Sequence, residues 1–113
     1  MSKFQEKRKH PRIDVALKVF KPGGEILGIT KNISFGGCFI KTKEDTNNAF
    51  NISFFLPPDY RVVKASCEVI WRNNNGIEAA WTLDIKDRSI LHEWLFLKGL
   101  ELEQCREYRG KIK

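Results

Sequence analysis

Two stretches of this chain carry residue types and spacings suited to gripping a ligand. The first is Arg8-Lys9-His10-Pro11-Arg12 and the second is Asn32-Ile33-Ser34-Phe35-Gly36-Gly37. A guanidinium is a planar fork of donors that holds phosphate bidentately and can stack on a flat ring. A carboxamide and a hydroxyl each donate and accept, so Asn32 and Ser34 suit a ligand edge of mixed polarity. A two-residue step puts these two on one side of an extended backbone, with Ile33 on the other. The glycines Gly36 and Gly37 permit positive φ or a close approach to the backbone. Each stretch also has a plainer reading. The first is a solvated basic tail, and the second is a polar β-turn whose side chains bond their own backbone.

Catalysis finds no such support. His10 and His92 have no neighbours at metal-ligand spacing, and His92 reads as a surface or rim residue of a helix. There is no G-x-S-x-G, no H-E-x-x-H and no P-loop. The three cysteines, Cys38, Cys67 and Cys105, are far apart and form no C-x-x-C pair, which argues against a disulfide framework or a zinc site. Cys38 and Cys67 fall in strand-like runs and read as small buried apolar residues. A reducing cytoplasm is the expected compartment. No apolar run approaches a membrane span, and the polar N-terminus lacks the h-region of a signal peptide.

The elements that must position these residues follow from periodicity. With 113 residues, 42% hydrophobic and 30% charged, the chain fits one globular domain with a single modest core. Its net charge of +6 favours an anionic partner without choosing among nucleotide, nucleic acid and membrane surface. Residues 1–12 have no apolar period and read as a flexible basic arm. Ile13, Val15, Leu17 and Val19 alternate with Asp14, Ala16, Lys18 and Phe20, predicting a first strand. Pro22-Gly23-Gly24 is a turn. A second strand runs from Glu25 to Lys31 with Leu27 and Ile29 on one side, and a third from Gly37 to Thr42. Ile52, Phe54 and Leu56 mark a fourth, stopped by Pro57-Pro58. The fifth and longest puts Val63, Ala65, Cys67, Val69 and Trp71 on one face. Asn75-Gly76 signals a hairpin into a sixth strand with Ile77, Ala79, Trp81 and Leu83 inward. The period then becomes helical at Ile90, Leu91, Trp94, Leu95 and Leu97, with Asp87 as N-cap and Gly99 weakening or ending the helix. Phe96 and Leu97 read as terminal core packing or as a contact for a partner. The expected fold is mainly β: a small six-stranded antiparallel barrel of Greek-key type with a C-terminal α-helix. Residues 13–104 form the barrel and helix, and residues 105–113 a polar tail.

Taken together, R-x-x-x-R just before the first strand and N-x-S-x-x-G some twenty residues later resemble the two motifs of the PilZ domain family. Both are complete, as Arg8 and Arg12, then Asn32, Ser34 and Gly37. Cys67-Glu68-Val69-Ile70-Trp71-Arg72 looks like the long strand of that family, and Gly76-Ile77-Glu78-Ala79-Ala80-Trp81 like the glycine-led strand that pairs with it. The resemblance covers roughly residues 5–97. It implies a non-catalytic receptor for cyclic di-GMP, a bacterial second messenger, with no cofactor and an unidentified effector protein as partner. Arg8, Arg12, Asn32, Ser34 and Gly37 are the implied ligand contacts, with Lys7, Lys9 and Gly36 as secondary candidates. The ligand suits them, because arginine can take its phosphates or guanine O6 and N7, and Asn32 and Ser34 its mixed guanine edge. Gly37 is expected to leave room for the ligand against the barrel wall. Asn32 stands where the motif also admits aspartate, and gives up a charged acceptor.

Two other classes remain in view. A small basic barrel can bind RNA or single-stranded DNA through exposed aromatics. Here Phe54, Trp71 and Trp81 fall on expected core positions, leaving Phe35 and Phe39, too few for a stacking platform. A protein-interaction adaptor without ligand is the third reading, and the complete motifs argue against it.

Overall fold

The computed structural model describes the backbone of residues 12–112 and the side chains of residues 12–99. Seven antiparallel strands and one helix follow in order: β1 (Ile13–Asp14), β2 (Lys18–Phe20), β3 (Ile26–Ser34), β4 (Gly37–Lys41), β5 (Ala49–Leu56), β6 (Arg61–Asn73), β7 (Gly76–Thr82) and α1 (Ile85–Ile112). The sheet runs β1-β3-β2-β5-β6-β7-β4, and β4 pairs back onto β3. That last pairing closes a six-stranded barrel from β2 to β7, with β1 an extra strand on β3, so the sheet is mainly β as expected.

Closure works because alternation supplies an apolar inner wall. Val19, Ile33, Ile40, Phe54 and Val63 are fully buried. Phe54 stacks on Trp81 with ring centroids 5.3 Å apart. One end of the barrel is stoppered by the first turns of α1, whose Ile90, Leu91 and Trp94 join the same core. Trp94 Nε1 donates to the Pro57 carbonyl at 2.6 Å, fixing helix to barrel. Asn73 Oδ1 accepts from the backbone of Asn75 and Gly76, shaping the expected β6–β7 hairpin.

Several boundaries differ from those that periodicity predicts. The expected first strand is two, broken over residues 15–17. Buried Thr30 causes the break: its hydroxyl donates to the Val15 carbonyl at 2.7 Å and accepts from Leu17 N at 2.9 Å. A side chain thus replaces two ladder bonds, and the strand bends there. Leu27 and Ile29 do not share a face. Val19 pairs Gly28 while Phe20 pairs Ile26, which makes Leu27 an extra residue that reverses the parity. Leu27 is buried and Ile29 exposed. The helix starts before Asp87. Asp84 takes the first helical bond, its carbonyl accepting from Arg88 N at 2.9 Å. Asp87 sits in the first turn and accepts from Lys64 N instead. Gly99 does not stop α1, which runs on to Ile112. A glycine inside a helix costs only about 1 kcal/mol relative to alanine, too little to end one. Phe96 and Leu97 are exposed, not terminal core.

Candidate functional site

The turn joining β3 to β4 is built from within. Ser34 Oγ accepts from Gly36 N at 3.2 Å and donates to the Gly37 carbonyl at 3.3 Å, and the residue is buried. Its proton and one lone pair therefore fold the turn, leaving one acceptor position. The plainer reading of this stretch thus describes Ser34 well. The turn is also bolted to β7. Trp81 Nε1 donates to the Phe35 carbonyl at 2.9 Å, and Trp81 N to the Gly36 carbonyl at 3.0 Å. The Phe35 ring lies on His92 of α1, 5.0 Å between centroids, and His92 is a surface residue as expected. Gly37 answers a packing demand. A Cβ there would run into the Ala79 carbonyl of β7. So Gly37 leaves room for a neighbouring strand, and its φ is not among the positive ones.

Arg12 comes to the same end of the barrel. Its Nη1 donates to Asn32 Oδ1 at 2.5 Å and to Glu78 Oε1 at 3.3 Å, and its Nη2 donates to Glu78 Oε2. The two charged side chains are only 13% and 12% exposed, so water screens their attraction little. Arginine and asparagine 20 residues apart are thereby joined, with their acid partner 66 residues from Arg12. Glu78 went unnoticed in the sequence. The available signal was an acid in the middle of an apolar strand, where an unpaired charge would be costly. Arg8, Lys7 and Lys9 lie outside the described residues.

A row of side chains crosses four strands beside this pair. Asn32 of β3 pairs Phe39 of β4, Phe39 pairs Glu78 of β7, and Glu78 pairs Trp71 of β6. Directly opposed residues share a face of the sheet. The face here is the outer one, and bulges at both ends create it. Lys31 is skipped between Thr30 and Asn32, and Ile70 between Val69 and Trp71. The second bulge corrects an expectation. Trp71 is not core but 47% exposed, because the extra residue turns it outward. Phe39, expected to be exposed, is covered instead, with Trp71 at 5.7 Å between ring centroids. The row borders a groove of about 360 Å³ whose rim carries Lys31, Lys41 and Lys43, all exposed. A larger concavity of about 650 Å³ lies by the start of α1, lined in part by Asp84 and Asp87. Burial, then the hydrogen bond from Asp84, pushes the Asp87 carboxyl above its ordinary value. Its charged lining is Asp84 and Asp87 against the single cation Lys64, a poorer setting for an anion than the lysine-rimmed groove.

Other chemistry is sparse. Cys38 and Cys67 are free and buried. Burial pushes the Cys38 thiol well up and the Cys67 thiol to about 12, so neither is a nucleophile near neutral pH. Among the described residues, no group of three or more His, Cys, Asp or Glu is placed to hold a metal, and no helix is long and apolar enough to cross a membrane.

With barrel, turn and groove in place, comparison with known proteins is informative. The profile of the PilZ domain matches residues 6–97. The chain therefore belongs to the PilZ domain family, whose characteristic function is the binding of cyclic di-GMP. No curated protein matches the chain. Among solved structures, the Bacillus subtilis inhibitor of motility, MotI/DgrA, shares the fold with a TM-score of 0.64 at 16% identity. The match covers 84% of this chain and 52% of that one, so the present chain spans about half the length of that protein.

Proposed function

We propose that this protein is a cytoplasmic cyclic di-GMP receptor and adaptor. Arg12 and Arg8 close over the dinucleotide while Asn32 and the Ser34–Gly37 turn hold it against the barrel. The observation that carries the reading is the bond from Arg12 to Asn32, which joins one residue of each motif. Arg12 keeps further N–H donors for a phosphate or a guanine. Asn32 keeps its amide donors. Lys7, Lys9 and Gly36 are secondary contacts. Arm closure creates a new surface next to the barrel mouth, and an effector protein reads that surface.

Calorimetry with cyclic di-GMP, and with a short oligonucleotide as control, tests the reading. Micromolar or tighter binding of the dinucleotide alone is expected. Arg8→Ala or Arg12→Ala should each weaken it about tenfold or more, the loss of one charge-assisted contact. Ser34→Ala should also weaken it, through the turn. No dinucleotide binding at low salt sinks the reading. Arm closure has its own test: saturating ligand should slow hydrogen exchange across residues 1–12, and unchanged exchange would refute closure.

A further inference from the structure

We infer that Glu78 is the residue that selects the base: its carboxylate reads the guanine edge of a nucleotide whose ring lies in the groove against Trp71. The inference rests on the cyclic di-GMP reading and specifies how that ligand is told from its adenine counterpart.

Three observations lead there. Glu78 stands between Phe39 and Trp71 in the cross-strand row and lines the groove with both. Arg12 does not saturate it. The guanidinium takes one lone pair on each oxygen, and a carboxylate has about four such positions. Trp71 is the exposed wall of the same groove, turned out by the bulge at Ile70. Strands lie about 4.8 Å apart, so ring and carboxylate sit one strand step from each other, within the width of a purine.

The chemistry follows. Guanine presents two adjacent donors, N1–H and N2–H, and one of them can donate to the outer lone pair that Arg12 leaves free on a Glu78 oxygen. Adenine presents a bare N1 acceptor at that place. It would face a partly buried anion and leave it without a new partner. A site built to receive donors rejects a ligand lacking them more strongly than an apolar pocket rejects a misfit. Trp71 contributes affinity without choice, because every base has a π-face. Lys31, Lys41 and Lys43 at the rim suit the phosphates. Asn32 carries no charge, so Glu78 is the anionic acceptor in the row.

The test is a comparison of two ligands on the full chain, cyclic di-GMP and cyclic di-AMP, by calorimetry. The wild type should prefer the guanine ligand at least about a hundredfold, and Glu78→Gln should shrink that preference to about tenfold or less. A role only in holding Arg12 would leave Glu78→Gln with the same ligand ratio as Arg12→Ala; that result overturns the inference. So does a wild type that binds both ligands equally, although cyclic dinucleotide binding itself would then stand. Binding of neither ligand refutes the receptor reading itself, a separate failure. Should Glu78→Gln fail to fold, Trp71→Ala decides. It should weaken both ligands about tenfold with the ratio unchanged, and unchanged affinities would show that no base lies in the groove.

Discussion

Trp71 and Trp81 occupy neighbouring strands, and simple alternation puts both in the core. Trp81 is there. It pairs Cys67 in an unbroken run of the β6–β7 ladder, stacks on Phe54 and is 9% exposed. Trp71 lies four residues beyond Cys67, past one skipped residue, and is 47% exposed. The same contrast separates two halves of the barrel. The β5–β6 ladder keeps register through eight consecutive pairs, from Ala49↔Glu68 to Leu56↔Arg61. There every side chain faces as its parity predicts. The β3–β4 and β6–β7 ladders each slip by one residue, and the candidate site lies where they slip. A bulge costs a ladder bond but re-aims a side chain. The regular half gives the fold its core, and the bulged half gives it a polar outer row.

The tryptophans offer the largest effect with which to break this comparison. Trp81→Ala should destabilise the fold by about 3–5 kcal/mol, as loss of a buried aromatic does. Trp71→Ala should cost only about 1 kcal/mol, for its contact with Phe39. Urea unfolding of both variants checks the pair, and equal losses would mean that the bulge does not turn Trp71 out.

A smaller effect is expected at the ion pair. Glu78→Ala leaves Arg12 without its acid, for about 2–3 kcal/mol. Arg12→Ala together with Glu78→Ala should cost no more than either alone, because no orphaned charge remains. Additive losses in that double-mutant cycle would separate the two residues energetically.

Thr30→Val sharpens the account of the broken first strand. It keeps the shape and removes the hydroxyl between Val15 and Leu17. The expected cost is about 1–2 kcal/mol for the two backbone groups left unpaired. Hydrogen exchange at Leu17 should rise; unchanged protection would mean that another group bonds it.

Near neutral pH the thiols give no signal, and theirs emerges only under alkaline conditions. Folded Cys67 titrates at about 12 against an ordinary 9.0. The fold therefore holds that proton more tightly than the unfolded chain does. Its contribution is complete below pH 9 and is lost as pH rises toward 12, by at most about 1.4 kcal/mol per pH unit. Cys67→Val should flatten that alkaline loss in thermal melts. In the native protein at pH 8, peptide mapping should find Cys38 and Cys67 unmodified by a thiol reagent.

Much of this protein was legible without coordinates. Alternation located the six strands of the barrel, Asn75-Gly76 the hairpin, and the change of period the helix. The motif residues Arg12 and Asn32 were singled out by type and spacing. These features depend on local pattern, and local pattern reports periods of two and 3.6 directly. What sequence could not supply was parity beyond an insertion. Skipping Leu27, Lys31 or Ile70 leaves no mark in composition, because whether a residue bulges depends on the partner strand. Glu78 is the plainest case. As one acid among fourteen Asp and Glu residues it had no distinction, and only strand pairing put it beside an arginine 66 positions away. The sequence by itself located the six strands of the barrel and the basic segment that precedes them, but not the break that makes β1 a separate strand. The tertiary structure decided that Ser34 and Gly37 build and pack the turn, that Trp71 faces out, and that Arg12 is met by Asn32 and Glu78 together. Those outcomes are set by register between distant segments, a quantity no local window of sequence contains.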